Sequence, residues 1–229
     1  MKQNPAGQKL GMINEIFQSI NGEVNWCNQG SIATFIRFSG CNLSCPYCDT
    51  TYAQNLIGFV YQFFSHDLAC RVLEKHRGVE NITITGGEPL LQKEFLIDFL
   101  CCLLQKTIVK VSIETNGTIP IPELDRDIRC IVGWVIDFKL PSSGAYNEKN
   151  LQNLPNDVTD NDWIKFVIGD REDYLVAKNI LNKCDYHYNL AFSPVLPGMT
   201  PSTLLGWMLE DHLFHVVLNV QIHKLINIK

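Results

Sequence analysis

Cys41, Cys45 and Cys48 bring three thiols into one short loop, Cys41-Asn42-Leu43-Ser44-Cys45-Pro46-Tyr47-Cys48-Asp49-Thr50. Three cysteines so close make a metal site. Structural zinc usually takes a closed set of four ligands from two separated pairs, and Cys45 and Cys48 have no second such pair elsewhere. An iron–sulfur cluster suits the spacing better, because such clusters are held by cysteine thiolates. With only three local donors one iron is left open, and that open position is where chemistry can occur.

The elements that must carry this loop can be read around it. Ile32 to Phe38 alternates and is β-branched and aromatic, the pattern of a strand that delivers the cysteines at its C-terminal end. Ser65 to Arg77 has helical spacing, with Ser65 as N-cap and Gly78 as its stop. Asn81 to Thr85 is a second strand, ending at Gly86-Gly87-Glu88-Pro89, where two glycines allow a close backbone approach. Glu94 to Gln105 is its helix. Further strands are expected at Val109 to Glu114, Ile131 to Phe138, Trp163 to Ile168, Leu190 to Val195 and His215 to Ile222. Helices are expected at Arg171 to Lys183 and Thr203 to Glu210. Strands alternating with helices over short connections imply parallel pairing through right-handed crossovers. About six units fit, so the expected fold is α/β, an incomplete (β/α)6-type TIM-like barrel with its site at the strand C-termini.

The chain has 229 residues, which predicts one domain over 1–229, with 1–10 a loose tail and 141–162 a polar insertion. Ile13 to Glu23 reads as a short strand entering a turn at Asn21-Gly22. A net charge of −5 without a Lys/Arg run speaks against a nucleic-acid partner. Neither a run of roughly 20 apolar residues nor a signal-type segment is present, so no membrane partner and a cytoplasmic location are expected. Nine cysteines are an odd number in a chain too large to need staples, which favours reduced thiols. Cys27, Cys70, Cys101, Cys102, Cys130 and Cys184 are read as core residues.

The C-x3-C-x2-C pattern, with Tyr47 before its last cysteine, resembles the signature of the radical S-adenosylmethionine (SAM) superfamily. Phe17-Gln18-Ser19-Ile20-Asn21-Gly22-Glu23, Thr34 to Cys41, Cys48-Asp49-Thr50 and the ending Gln221 to Lys229 narrow this to a resemblance to the 7-carboxy-7-deazaguanine synthase family. The resemblance implies a lyase that contracts 6-carboxy-5,6,7,8-tetrahydropterin to 7-carboxy-7-deazaguanine with loss of ammonia, in queuosine and 7-deazapurine biosynthesis. It implies a [4Fe-4S] cluster on Cys41, Cys45 and Cys48, whose open iron chelates SAM and splits it to a 5′-deoxyadenosyl radical, with SAM regenerated after each turnover. No catalytic residue beyond the cofactor is implied. Tyr47, Cys48, Asp49, Gly86, Gly87, Glu88, Glu114, Asn116, Asp137, Phe138 and Lys139 are implied SAM contacts. Thr50 is implied to bind Mg²⁺, which holds the substrate carboxylate. Ile20, Asn21, Gly22, Glu23, Arg37, Thr85, His223 and Lys229 are implied to surround the pterin. A reductant such as flavodoxin and a homodimeric assembly complete the expectation.

The chain departs from the family pattern in having Asn21 where Gln is usual, and Asp137-Phe138-Lys139 where Ser-Pro-Lys is usual. The first is expected to shorten a pterin-facing amide and the second to alter the SAM contact. A glycyl-radical-enzyme activase shares the cysteine loop, but Arg37, Asn21-Gly22-Glu23 and His223-Lys224 speak against it. A zinc-binding module using Cys27 or Cys70 as fourth ligand is the alternative from another class.

Overall fold

The computed structural model describes residues 9–55, 61–75, 77–78, 80–183 and 188–228. Its core is a run of parallel strands, β2 (Ile32–Phe38), β4 (Asn81–Gly86), β5 (Lys110–Thr115), β6 (Val132–Phe138), β7 (Trp163–Ile168), β8 (Asn189–Pro194) and β9 (Val216–Leu218). Two antiparallel strands extend one edge, β1 (Leu10–Ile20) against β2 and β3 (Tyr61–Phe64) against β1. The order is β3-β1-β2-β4-β5-β6-β7-β8-β9, an open sheet that curves as a partial barrel, as expected. Helices α1 (Ser65–Lys75), α2 (Lys93–Leu104), α3 (Arg126–Arg129), α4 (Arg171–Leu181), α5 (Pro201–Glu210) and α6 (Ile222–Leu225) complete it. None of the described helices is long and apolar enough to cross a membrane.

The strand alternation explains the layering, because successive side chains of a strand point to opposite faces. Ile82, Ile84, Val111, Ile113 and Ile136 join the core under α1 and α2, while Phe138, Ile164, Phe166 and Phe192 join the core under α4 and α5. The intervening residues, Arg37, Thr85, Glu114, Asp137, Lys165 and Ser193, face the cavity instead. Parallel strands with both faces covered would read as continuous apolar runs. Here polar residues interrupt each run, so the inner face is built to hold something other than core.

The boundaries of β2 and β7 match the expectation, β5, β6 and β8 differ from it by one residue, β3 was not expected, and larger differences lie at the two ends of the sheet. Leu10 belongs to β1, paired with Phe64, so the expected tail 1–10 is shorter at its end, and residues 1–8 lie outside the described ones. β9 stops at Leu218 because Asn219 turns its fully buried amide inward, donating to the Ser193 hydroxyl at 3.1 Å and accepting from the Val24 amide at 3.0 Å. Segment 141–162 carries two short 3-10 turns, Pro141–Ser143 and Glu148–Asn153, and is firmly attached. Arg129 holds Asp157 at 3.1 Å and also pairs with the buried Asp162, whose other oxygen accepts from the Trp134 amide at 2.8 Å.

The cysteine expectation needs correction too. Cys27 is buried, but Cys70, Cys101 and Cys102 are only partly buried and Cys130 is exposed, since each sits on a helix or turn with one side to solvent. Cys184 lies outside the described residues.

Candidate active site

The C-terminal ends of the parallel strands open into a cavity of about 440 Å³. The cysteine loop forms one wall. It leaves β2 through Gly40, whose φ of 90° is a left-handed value that glycine adopts without cost, and is closed by Gly40 N donating to Ala53 O at 2.8 Å and Cys41 N to Gln54 O at 3.0 Å. Cys41, Cys45 and Cys48 are free, half-buried, and all line the cavity. Burial pushes the Cys41 and Cys45 thiols up, while the Lys139 ammonium works in the opposite direction. Among the described residues no three His, Cys, Asp or Glu side chains are grouped closely enough to hold a metal ion.

The donor set fits an iron–sulfur cluster. A thiolate-held cluster is anionic and is tuned by hydrogen bonds to its sulfurs, and Cys41 Sγ receives the Leu43 amide at 3.5 Å and the Asn116 side-chain amide at 3.9 Å. Lys139 supplies positive charge beside Cys41 and Cys45. The Tyr47 hydroxyl is buried in the same wall without a hydrogen-bond partner among the described residues, a group left for a bound molecule to satisfy. Burial raises its pKa to about 12, so it is a neutral donor at ordinary pH.

Gly86 and Gly87 line the cavity, but their first task is to admit the cysteine loop. A side-chain carbon on Gly86 would collide with the Phe38 backbone, and one on Gly87 with the backbone of Gly40 and Cys41. Their closeness allows Gly87 N to donate to Phe38 O at 3.0 Å and Glu88 N to Gly40 O at 2.7 Å. The Glu88 side chain is wholly buried and accepts from Leu90 N (2.9 Å), Thr115 Oγ1 (2.8 Å) and Asn116 N (2.7 Å). Glu88 therefore braces the wall and does not line the cavity. Phe138 is likewise displaced from its expected role, because it points to the outer face of β6 and packs on Phe166.

The floor is a charged cluster. Asp137 on β6 lies opposite Lys165 on β7, and Lys165 Nζ is 2.9 Å from Asp137 Oδ1, while Lys139 Nζ is 3.3 Å from Asp137 Oδ2. Lys165 also pairs with Glu23 Oε2, and the other Glu23 oxygen accepts from the Gln221 side-chain amide. Thr85 Oγ1 donates to Glu114 Oε2 at 2.6 Å. Burial pushes the Glu114 carboxyl up, with Lys165 opposing. Burial also penalises the Asp137 carboxylate, but Lys165 and Lys139 outweigh it and hold its pKa below the usual range. For both lysines burial disfavours the charge, and it is overcome by Asp137, Glu23 and Glu114 around Lys165 and by Asp137 with Tyr47 and Cys45 around Lys139.

Opposite the cysteines stand the turn after β1 and the end of the chain. Ile20, Asn21, Gly22 and Glu23 all line the cavity. Asn21 does so without offering its amide, however. Its Nδ2 donates to Ser31 Oγ (2.9 Å) and Asn81 Oδ1 (3.2 Å), and its Oδ1 accepts from Thr83 Oγ1 (2.7 Å). The expected shortening of a pterin-facing amide is thus replaced by an internal brace that shapes the turn. Gly22 packs against the His223 ring so closely that a side-chain carbon there would collide with it, and Ile222 N donates to Gly22 O at 2.9 Å. Burial lowers the His223 pKa, which favours the neutral ring.

Arg37 is held from three sides: Glu15 Oε1 lies 2.8 Å from its Nε, and the Phe17 and Tyr52 rings lie 5.7 and 5.8 Å from its guanidinium carbon. Binding through Nε leaves the two terminal nitrogens of its fork for a second anion. Thr50 Oγ1 is 3.7 Å from Cys48 Sγ, and Asp49 pairs with Lys224 at 2.8 Å, so both sit where the cysteine loop meets α6. Lys229 lies outside the described residues.

The structure thus gathers the expected cysteines, Tyr47, Asp49, Thr50, Thr85, Gly86, Gly87, Arg37, Glu114, Asn116, Asp137, Lys139 and His223 around one cavity with the turn 20–23. Sequence reasoning missed Lys165, Glu15, Tyr52, Gln221 and Lys224. Lys165 had a signal: it is a lone charge inside the apolar run Trp-Ile-Lys-Phe-Val-Ile, and lysine is almost never fully buried unless paired.

Comparison with known proteins agrees with this geometry. Residues 35–132 match the radical SAM superfamily. The chain is similar to the 7-carboxy-7-deazaguanine synthase of Clostridium acetobutylicum, with 35% identity over 214 residues covering 93% of this chain and 94% of the relative. It is also similar to the 7-carboxy-7-deazaguanine synthase of Methanospirillum hungatei, at 36% identity over 225 residues covering 98% and 89%. Among solved structures, QueE from Escherichia coli superposes with a TM-score of 0.72 at 20% identity, covering 93% of this chain and 94% of that one, a likeness of fold.

Proposed function

Since the chain belongs to the 7-carboxy-7-deazaguanine synthase family of the radical SAM superfamily, we propose that it is a lyase converting 6-carboxy-5,6,7,8-tetrahydropterin to 7-carboxy-7-deazaguanine with loss of ammonia, in queuosine and 7-deazapurine biosynthesis. The observation that carries the reading is the single cavity that joins the three free cysteines to an arginine fork and a carboxylate turn on the facing wall. Cys41, Cys45 and Cys48 hold the [4Fe-4S] cluster, and Tyr47, Asp49, Gly86, Gly87, Glu114, Asn116, Asp137 and Lys139 surround SAM. When bound, the cluster and SAM together supply a reducing electron and a carbon-centred radical. Thr50 binds Mg²⁺.

The protein's own part is to orient and enclose the substrate. Arg37, pinned by Glu15 through Nε, presents its remaining donors to the substrate carboxylate. The Glu23 carboxylate accepts from the amino and ring N–H groups of the pterin, while the Gly22 carbonyl beside it is taken up by Ile222 N and Gln29 Nε2. His223, neutral and pressed on Gly22, closes the opposite side. The enzyme works in the cytoplasm as a homodimer and takes electrons from a flavodoxin-type reductant.

The test is turnover. Anaerobically reconstituted protein with SAM, Mg²⁺ and reductant is expected to convert the carboxytetrahydropterin, with product identified by mass. An unchanged pterin in the presence of an intact, SAM-binding cluster overturns the reading.

A further inference from the structure

Lys165 is a buried cation that no role above requires, yet it sits between the walls of the cavity. Its side chain is 5% exposed and its ammonium touches Glu23 Oε2 and lies 2.9 Å from Asp137 Oδ1. Among the described residues, Lys165 and Lys139 are the lysines within ion-pair distance of the carboxylates gathered here, Glu23 and Asp137, with Glu114 beside them. Asp137 contacts both lysines, whereas Lys165 is the only cation within ion-pair distance of Glu23 among the described residues. β6 and β7 are rigid parallel neighbours with Asp137 and Lys165 in register, so Lys165 is an ammonium anchored on the barrel floor. Glu23, in contrast, lies on a turn beyond the end of β1, and its carboxylate is held by the Lys165 ammonium and the Gln221 side-chain amide.

We propose that Lys165 is a positioning residue for the pterin substrate: anchored to Asp137, it fixes the Glu23 carboxylate in the cavity so that its free lone pairs face the pterin N–H groups. The proposal rests on the pterin reading above. A buried carboxylate accepts hydrogen bonds well only if its charge is balanced and its direction held, and removing one partner of a buried pair leaves the other uncompensated. Without Lys165, Glu23 loses its only ion-pair partner among the described residues and is left beside Glu114 and Asp137. The cofactor side is less affected, because Asp137 keeps Lys139 at 3.3 Å.

The experiment measures carboxytetrahydropterin binding by calorimetry, without reductant, in cluster-loaded wild type, Lys165→Met, Glu23→Gln and the double variant. Lys165→Met is expected to weaken pterin binding by about tenfold or more and to leave the SAM dissociation constant within about threefold. On the Glu23→Gln background the same substitution is expected to cost less than about threefold, because the charge it served is gone. A merely structural lysine would lower the melting temperature and weaken both ligands or neither. Equal pterin affinity in wild type and Lys165→Met overturns the proposal. So does the same tenfold loss on both backgrounds. If Lys165→Met fails to fold, the double variant against Glu23→Gln still decides. Wild type that neither binds nor converts the pterin instead refutes the function proposed above.

Discussion

Gly87→Ala asks whether the two motif glycines serve the contact between β4 and the cysteine loop. The added carbon would overlap the Gly40 carbonyl and come within 2.9 Å of Cys41 N, all backbone atoms that no rotamer change can move aside. Two backbone hydrogen bonds, Gly87 N to Phe38 O and Glu88 N to Gly40 O, share the strained segment. Overpacking costs about 1–3 kcal/mol, and each weakened hydrogen bond about 1 kcal/mol. The total is roughly 3–5 kcal/mol. For a domain of this size each kcal/mol lowers the melting temperature by about 2–4 °C, so a fall of roughly 6–20 °C is expected. Gly206→Ala is the internal comparison, since Gly206 lies within α5 with open space around it. It should gain about 0.5–1 kcal/mol from helix propensity. Anaerobic thermal unfolding followed by circular dichroism, with iron content after reconstitution, reads both. A Gly87→Ala protein that melts within about 2 °C of wild type and takes up full iron would refute the argument.

Other perturbations address the facing wall and the metal. Arg37→Met should raise the KM for the carboxytetrahydropterin by about tenfold or more, with the cluster spectrum unchanged; an unaltered KM would remove Arg37 from substrate binding. Because burial lowers the folded-state pKa of His223, the unfolded chain binds its proton more readily below about pH 6.5. Stability should therefore fall as pH drops through that region, and His223→Gln should flatten this part of a melting-temperature profile relative to wild type. Thr50→Ala should weaken the Mg²⁺ dependence of turnover while leaving iron content intact, as read by a Mg²⁺ titration of the rate.

Much of this was legible in the residues, for physical reasons that also mark where reading stops. β2 and β7 were legible to the residue because apolar alternation or a continuous apolar run ended sharply at loop residues. β3 was not, since Tyr-Gln-Phe-Phe is too short to carry a period and is defined by pairing with the distant β1. β1 was legible as a strand from Ile13, but its antiparallel place at the sheet edge was not, because pairing is a tertiary property. Within the site, residue type identified the cysteines, Arg37 and the strand-end carboxylates. It could not distinguish a residue that faces the cavity from one that braces it. Glu88 and Asn21 have the chemistry of ligand contacts, yet their polar atoms are satisfied by the protein itself. Phe138 follows Asp137 by one position, and the strand period alone sends it to the opposite face.

The account's central claim is that one cavity unites a cluster on Cys41, Cys45 and Cys48 with a carboxypterin held by the facing wall. The most direct measurement is product formed per SAM supplied, by anaerobic, reconstituted, reduced protein given excess carboxytetrahydropterin and limiting SAM. The account predicts 7-carboxy-7-deazaguanine in excess of the SAM added, with equal ammonia, and none from Cys48→Ala. SAM cleavage without any deazaguanine would contradict it.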